Sequence, residues 1–326
     1  MKYLTCLAFV FFCGSIVFAK EPVTIYLAGD STMATKLPEK RPETGWGEFL
    51  QDFFDQKKVK IENRAKNGRS TRTFIEEKLW DDIVSSLRKG DYVFIQFGHN
   101  DQSKTKVERY TSPDDYRRNL IRFINEVRNK KATPVLLTPV MRRRFDQDGN
   151  FRDSHGVYPD VVRAVAQEHE VALIDMHRLS ERVLRDCGVD KSRDLFLHLA
   201  PNENSNYPNG VTDDTHFRPL GAETMAELVV EALRTQHLKL AKELVKSNAR
   251  KFPPPCTGPS TVTSQVLVQF ELTLNAFANS SSPAAHSPLK ESVSLGLLQV
   301  GKEDLSPPMV RFSDLVISKI AQEGPS

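Results

Sequence analysis

From Val23 to about Val245 the chain alternates short apolar runs with stretches of helical periodicity, and few folds accept that order. A strand that returns through a helix pairs parallel to its predecessor, and a parallel sheet needs helices over both faces. Strands are predicted at Val23–Ala28, Val59–Ile61, Asp91–Phe97, Pro134–Thr138 and Val171–Asp175. Between them, Trp46–Phe54, Phe74–Leu87, Asp115–Arg128 and Asp160–Glu168 are expected to be helical. The Phe74–Leu87 stretch puts Trp80, Ile83, Val84 and Leu87 on one face, and the third puts Tyr116, Leu120, Phe123, Ile124 and Val127 together just after Pro113. Met225, Leu228, Val229, Ala232 and Leu233 mark a closing helix. The expectation is an α/β protein: a three-layer sandwich around a five-stranded parallel sheet.

The ends of the chain differ from this body. Lys2, an apolar run from Leu4 to Phe12 and Val17-Phe18-Ala19 have the form of a signal peptide, residues 1–19, with cleavage after Ala19. That places the mature chain outside the cytoplasm, secreted or periplasmic. Cleavage removes Lys2 and no acid, so the formal charge falls from +3 to +2 and names no partner. Cys6 and Cys13 leave with the signal, and Cys187 and Cys256 remain, able to form one disulfide but lacking metal-site spacing. Beyond Phe252 the composition shifts, because nine of the nineteen prolines lie in residues 253–326, which hold no Trp or Tyr. The body is therefore expected to span 20–250, and 251–326 to be a Pro/Ser-rich linker and extension, with Val262–Phe277 and Val310–Ile320 apolar enough to pack.

Four polar blocks lie where an open α/β sheet gathers its functional loops. Gly29-Asp30-Ser31-Thr32 follows the first strand, Asn63–Ser70 the second and Gly98-His99-Asn100-Asp101 the third, while Asp213-Asp214-Thr215-His216 follows a long stretch expected to be irregular and precedes the closing helix. Each alone has a plain reading as a turn or helix cap. Together they supply what acyl transfer needs: a serine, a histidine to accept its proton, a carboxylate to orient that histidine, and donors for an oxyanion. The Asp-x-x-His spacing favours Asp213 over Asp214 as the orienting group. No phosphate loop, metal cluster or aromatic nucleic-acid surface appears, and no membrane contact is expected after signal cleavage.

On these segments the chain resembles the SGNH (GDSL-type) hydrolase superfamily, and within it the rhamnogalacturonan acetylesterase family. The likeness covers roughly residues 22–245 and extends through Thr138-Pro139-Val140, Arg142-Arg143-Arg144-Phe145, Asp153-Ser154-His155-Gly156 and Tyr158-Pro159. It implies a flavodoxin-like fold, no cofactor, and an acetylated polysaccharide as substrate. It further implies Ser31 as nucleophile, His216 as base and Asp213 as its orienter. The backbone N–H groups of Ser31 and Gly68 and the Asn100 side chain would form the oxyanion hole. Arg142, Arg143 and Arg144 follow the fourth strand, and a planar guanidinium there suits a uronate carboxylate. His99 joins them as a substrate-binding residue, and Lys66, Arg69 and Arg72 add charge in the second block.

Two other readings use the same residues. A lipid or aryl esterase would need a long apolar channel beside the serine, against which the polar loops argue. An inactive carbohydrate-binding protein would not need all five catalytic-type positions filled.

Overall fold

The computed structural model describes residues 21–245 together with Lys251 and Cys256. The expected signal segment and the two apolar segments of the extension lie outside the described residues. Five strands form one sheet: β1 (Val23–Gly29), β2 (Val59–Asn63), β3 (Tyr92–Gln96), β4 (Thr133–Leu137) and β5 (Ala172–Ile174). All neighbours are parallel, in the order β2-β1-β3-β4-β5. From β1 the chain steps to one side to make β2 and then crosses to the other side to make β3. The carboxyl ends of β1 and β3 therefore open a crevice, the natural ligand position in such sheets.

Alternate residues of the same strands enter two separate cores, which is why the strands are apolar on both faces. Tyr26, Ala28, Val93, Ile95 and Leu136 face α1 (Thr71–Glu76), α2 (Leu79–Ser86), α3 (Pro113–Asn129) and α4 (Tyr158–Glu168). Ile25, Leu27, Phe94, Val135 and Leu137 face α5 (Met176–Lys191) and α6 (Pro219–Thr235). In α3 the stripe Tyr116, Leu120, Phe123, Ile124 and Val127 is fully buried or nearly so. Each such side chain contributes roughly 1.5–3 kcal/mol.

Three local expectations are corrected. Trp46–Phe54 is two 3₁₀ turns, Trp46–Glu48 and Leu50–Phe53, rather than a helix. The N–H groups of Trp46 and Gly47 bond Thr32 O and Met33 O, so they tie this segment to the turn after β1. Phe74–Leu87 belongs to two helices, broken where Lys78 adopts φ 60°. The stretch before the closing helix is not irregular throughout: β6 (Phe196–Leu199) and β7 (Val211–Phe217) form an antiparallel ribbon.

Cys187 of α5 and Cys256 form a disulfide, with Cα atoms 5.0 Å apart. Lys251 N–H bonds Glu223 Oε1 at 2.7 Å, and its ammonium pairs with Asp52. Two described residues past the expected end at 250 are thus joined to the body. Among the described residues no helix is long and apolar enough to cross a membrane.

Candidate active site

The turn after β1 is organised by Asp30, which is fully buried. Its Oδ1 accepts from the Thr32 N–H at 2.9 Å and the Thr32 hydroxyl at 2.8 Å, and its Oδ2 faces His99 Nδ1 at 3.1 Å. Burial would raise this carboxyl, but His99 and Thr32 outweigh it and hold the group at about 2. Burial lowers His99 from its ordinary value against the pull of the Asp30 carboxylate, to which Nδ1 donates. The Met33 and Ala34 N–H groups then close the turn on Asp30 O. Gln96 joins it to the core, donating to the Thr32 hydroxyl at 2.9 Å while accepting from the Trp46 indole at 3.1 Å.

Ser31 sits at the tip of this turn. His216 Nε2 lies 2.9 Å from Ser31 Oγ, and His216 Nδ1 lies 2.7 Å from Asp213 Oδ2. The carboxylate fixes the tautomer: Nδ1–H donates to Asp213 and Nε2 accepts from the serine hydroxyl. Asp213 Oδ1 also accepts from the Thr215 and His216 N–H groups at 2.7 and 3.0 Å. Burial opposes ionisation of Asp213, yet the His216 ring and these N–H groups hold it at about 2. Asp214 turns away and pairs with Arg143 at 2.9 Å and His198 at 2.8 Å. Of the two neighbouring aspartates, Asp213 is the one at His216.

Gly68 has φ +76°, a conformation that favours glycine, and it directs its turn at the same crevice. Neither the Ser31 N–H nor the Gly68 N–H has a hydrogen-bond partner among the described residues. Asn100 Nδ2 donates to Arg69 O at 2.9 Å and keeps its second hydrogen. One serine, one relayed histidine and three donor groups therefore share one cleft, of about 1060 Å³.

The expected substrate-binding group divides. Arg142 and Arg144 line the cleft, with Arg142 braced on His99 O at 3.1 Å. Arg143 is excluded, since its buried guanidinium is consumed by Asp214, Ser192 Oγ at 3.0 Å and Val189 O at 2.5 Å. It joins the loop after β4 to β7 and offers a ligand nothing. His99 touches the cleft, but its ring is buried against Asp30 and meets His155 edge-on at 4.8 Å. Its Nδ1 holds the serine turn, while Nε2 has no hydrogen-bond partner among the described residues. Of the second-block cations, Arg69 lines the cleft, paired to Glu77 at 2.8 Å, whereas Arg72 bonds Val107 O at 2.7 Å.

Among the described residues one group has a metal-ligand composition: Asp153, His155 and His177. Asp153 Oδ1 already accepts from His155 Nδ1 at 3.2 Å and His177 Nε2 at 3.1 Å. The Arg163 guanidinium lies 3.3 Å from His177 Nδ1, which makes Nδ1 the acceptor and leaves Nε2–H to donate to Asp153. These bonds centre on Asp153, while His155 Nε2 is buried with no hydrogen-bond partner among the described residues, and burial pushes His155 down to about 3.

Sequence reasoning missed Lys36 and Glu43. The Lys36 side chain is fully buried, and its ammonium bonds Ser31 O, Asn67 Oδ1 at 2.9 Å and Glu43 Oε1 at 2.8 Å. It links the nucleophile turn to the residue before Gly68. Glu43 Oε1 is also 4.0 Å from His216 Nε2. No local motif marks a lysine whose three acceptors come from three separate segments.

A turn-borne serine, its histidine and aspartate, and three hydrogen-bond donors at the switch point of a parallel sheet define an acylhydrolase of the α/β type. The GDSL-like lipase/acylhydrolase family matches residues 27–224, and the chain belongs to that family. It is accordingly a carboxylic ester hydrolase. It is 38% identical to the rhamnogalacturonan acetylesterase RhgT of Bacillus subtilis over 232 residues, 71% of this chain and 98% of that protein. The rhamnogalacturonan acetylesterase of Emericella nidulans is 27% identical over 244 residues, 69% of this chain and 90% of its own length. Among solved structures, YxiM of Bacillus subtilis superimposes with a TM-score of 0.57 at 26% identity. That alignment covers 67% of this chain and 57% of YxiM.

Proposed function

We propose that this chain is an exported serine esterase that removes acetyl groups from rhamnogalacturonan, a pectic polysaccharide. The observation that carries the reading is the Ser31–His216–Asp213 relay beside two backbone N–H groups that have no partner among the described residues. His216 Nε2 takes the hydroxyl proton as Ser31 Oγ attacks the acetyl carbonyl carbon. The carbonyl oxygen becomes an oxyanion that accepts from the Ser31 and Gly68 N–H groups and Asn100 Nδ2. The carbon–oxygen bond to the sugar breaks as His216 returns its proton to the leaving oxygen. Water then repeats the sequence on acetyl-Ser31, releasing acetate. Asp213 stays ionised throughout and stabilises the imidazolium. The scheme requires no cofactor.

The sugar assignment rests on the named relatives and on the cleft wall. That wall carries seven Lys and Arg side chains against three Glu and no large apolar side chain. A long acyl chain finds no apolar channel there, whereas a polyanionic sugar chain meets an excess of positive charge. The net charge of the whole chain, only +3, hides this local imbalance. Export rests on the form of residues 1–19. Acetate release from acetylated rhamnogalacturonan, xylan and chitin fragments tests the assignment, with rhamnogalacturonan expected to give the highest kcat/KM. A clear preference for xylan or chitin would refute the sugar and leave the esterase chemistry in place.

A further inference from the structure

An oxyanion hole that uses an asparagine side chain has a built-in ambiguity. Rotating the amide by half a turn exchanges a donor for an acceptor with almost no change of shape. In one orientation Asn100 donates to the developing oxyanion; in the other it presents a carbonyl oxygen to a negative charge. Something must select between them.

Two neighbours of Asn100 do so from opposite chemical sides. The Arg109 guanidinium, which can only donate, reaches Asn100 Oδ1 with Nη1 at 3.0 Å. The Arg69 carbonyl, which can only accept, takes one Nδ2 hydrogen at 2.9 Å. A flipped amide would face hydrogen against hydrogen at Arg109 and oxygen against oxygen at Arg69. We propose that Arg109 is a positioning residue of the oxyanion hole, holding Asn100 in the orientation that donates to the tetrahedral intermediate. The inference deepens the esterase reading and rests on it, because Asn100 must be an oxyanion donor for its orientation to matter.

Arg109 is placed for that task. A Cβ added to Gly68 would lie 3.3 Å from Arg109 Nη1, so one guanidinium adjoins both Asn100 and Gly68. Arg109 Nε is 3.2 Å from Glu108 Oε1, and the loop that carries both is braced where Arg72 bonds Val107 O. Its ion-pair partner Glu108 is 68% exposed, so truncation of Arg109 leaves no buried uncompensated charge. A lysine is a poorer substitute, since a point donor lacks the planar fork that spans both neighbours.

A double-mutant cycle on hydrolysis of 4-nitrophenyl acetate separates this role from a general structural one. Loss of one oxyanion donor costs on the order of 100-fold in kcat, and Asn100→Ala is expected near that value. Arg109→Met should lower kcat by roughly 10- to 100-fold while KM moves less than about 3-fold, because only the transition state uses the amide hydrogen. In the Asn100→Ala background the same substitution should change kcat by less than about 3-fold. A kcat of Arg109→Met within about 2-fold of the parent would overturn the proposal, as would losses that multiply in the double variant. Multiplying losses would mean that the charge acts on the oxyanion independently of Asn100. Failure of the esterase reading looks different: the unsubstituted protein would show no hydrolysis, or Ser31→Ala would retain it, and the inference would fall with the reading.

Discussion

The nucleophile and its base stand on supports of different kinds. Ser31 is carried by a turn welded into the core through Asp30, His99, Gln96, Trp46 and Lys36, all buried. His216 is carried by a two-stranded ribbon outside the main sheet, and both it and Asp213 keep 27% of their side-chain surface exposed. The ribbon's catalytic end is held by short local bonds within Asp213–His216 and by the Arg143–Asp214 pair behind it. Errors on the first support are expected to appear mainly as lost stability. Errors on the second should appear mainly as lost turnover.

The largest effect should come from the ribbon. Asp213→Asn keeps the shape but removes the charge that fixes the His216 tautomer, and kcat should fall on the order of 10⁴-fold with the unfolding midpoint nearly unchanged. Asp214→Asn should cost far less in kcat, because that carboxylate serves Arg143 and His198. Equal losses, measured with a small aryl acetate, would erase the distinction between the two aspartates.

On the nucleophile side, Lys36→Met leaves Glu43 buried without its cation. Breaking such a pair costs about 3 kcal/mol of unfolding free energy in denaturant titrations. Adding Glu43→Gln should restore most of the stability but not the spacing of Ser31 and Gly68, so kcat should stay low. Full recovery of activity in the double variant would show that Lys36 is only a charge partner.

Asp30→Asn sharpens the same contrast through pH. The folded carboxyl, at about 2, lies below its ordinary value of 3.8. The stabilisation is therefore fully present above about pH 4 and is lost as pH falls through about 2, below which the carboxyl is protonated in both the folded and the unfolded chain. The variant should be about 2 kcal/mol less stable at pH 7, and the difference should shrink between pH 4 and 2. A difference that persists unchanged at pH 2 would mean that the bonds from Thr32 matter through shape rather than charge.

How much of this was legible in the amino-acid order follows the same division. The five strands, the buried stripe of α3 and the closing helix all announce themselves, because apolar periodicity and burial coincide there. Ser31, Gly68 and Asn100 follow strand ends directly, and their place follows from the fold. The ribbon was illegible because Val211–Phe217 is mostly polar, lacks clean alternation and is only partly buried, so its pairing with Phe196–Leu199 leaves no periodic trace. The Trp46–Phe54 stretch failed for the opposite reason: it is apolar enough for a helix, yet its first N–H groups are spent on the serine turn. Arg143 beside Arg142 and Arg144 is a third case. Three identical side chains in a row say nothing about which one the ribbon will consume.

The smallest effect belongs to the cleft wall. Arg144 is exposed, lines the cleft and has no hydrogen bond or ion pair from its side chain among the described residues. Arg144→Ala should lower kcat/KM on acetylated rhamnogalacturonan by about 5-fold or less, as for an exposed ion pair, and the deficit should fade as salt rises. Activity on a neutral aryl acetate should be unchanged. A loss on both substrates would move Arg144 from substrate binding to the architecture of the site.

The covalent step is the most direct test of the whole scheme. The protein is acid-quenched during turnover of an acetyl ester and digested, and the peptides are weighed by mass spectrometry. One acetyl group should appear on the peptide containing Ser31 and be absent from Ser31→Ala. Acetylation of a different residue during turnover, or turnover that survives in Ser31→Ala, would contradict the assignment of Ser31 as the nucleophile.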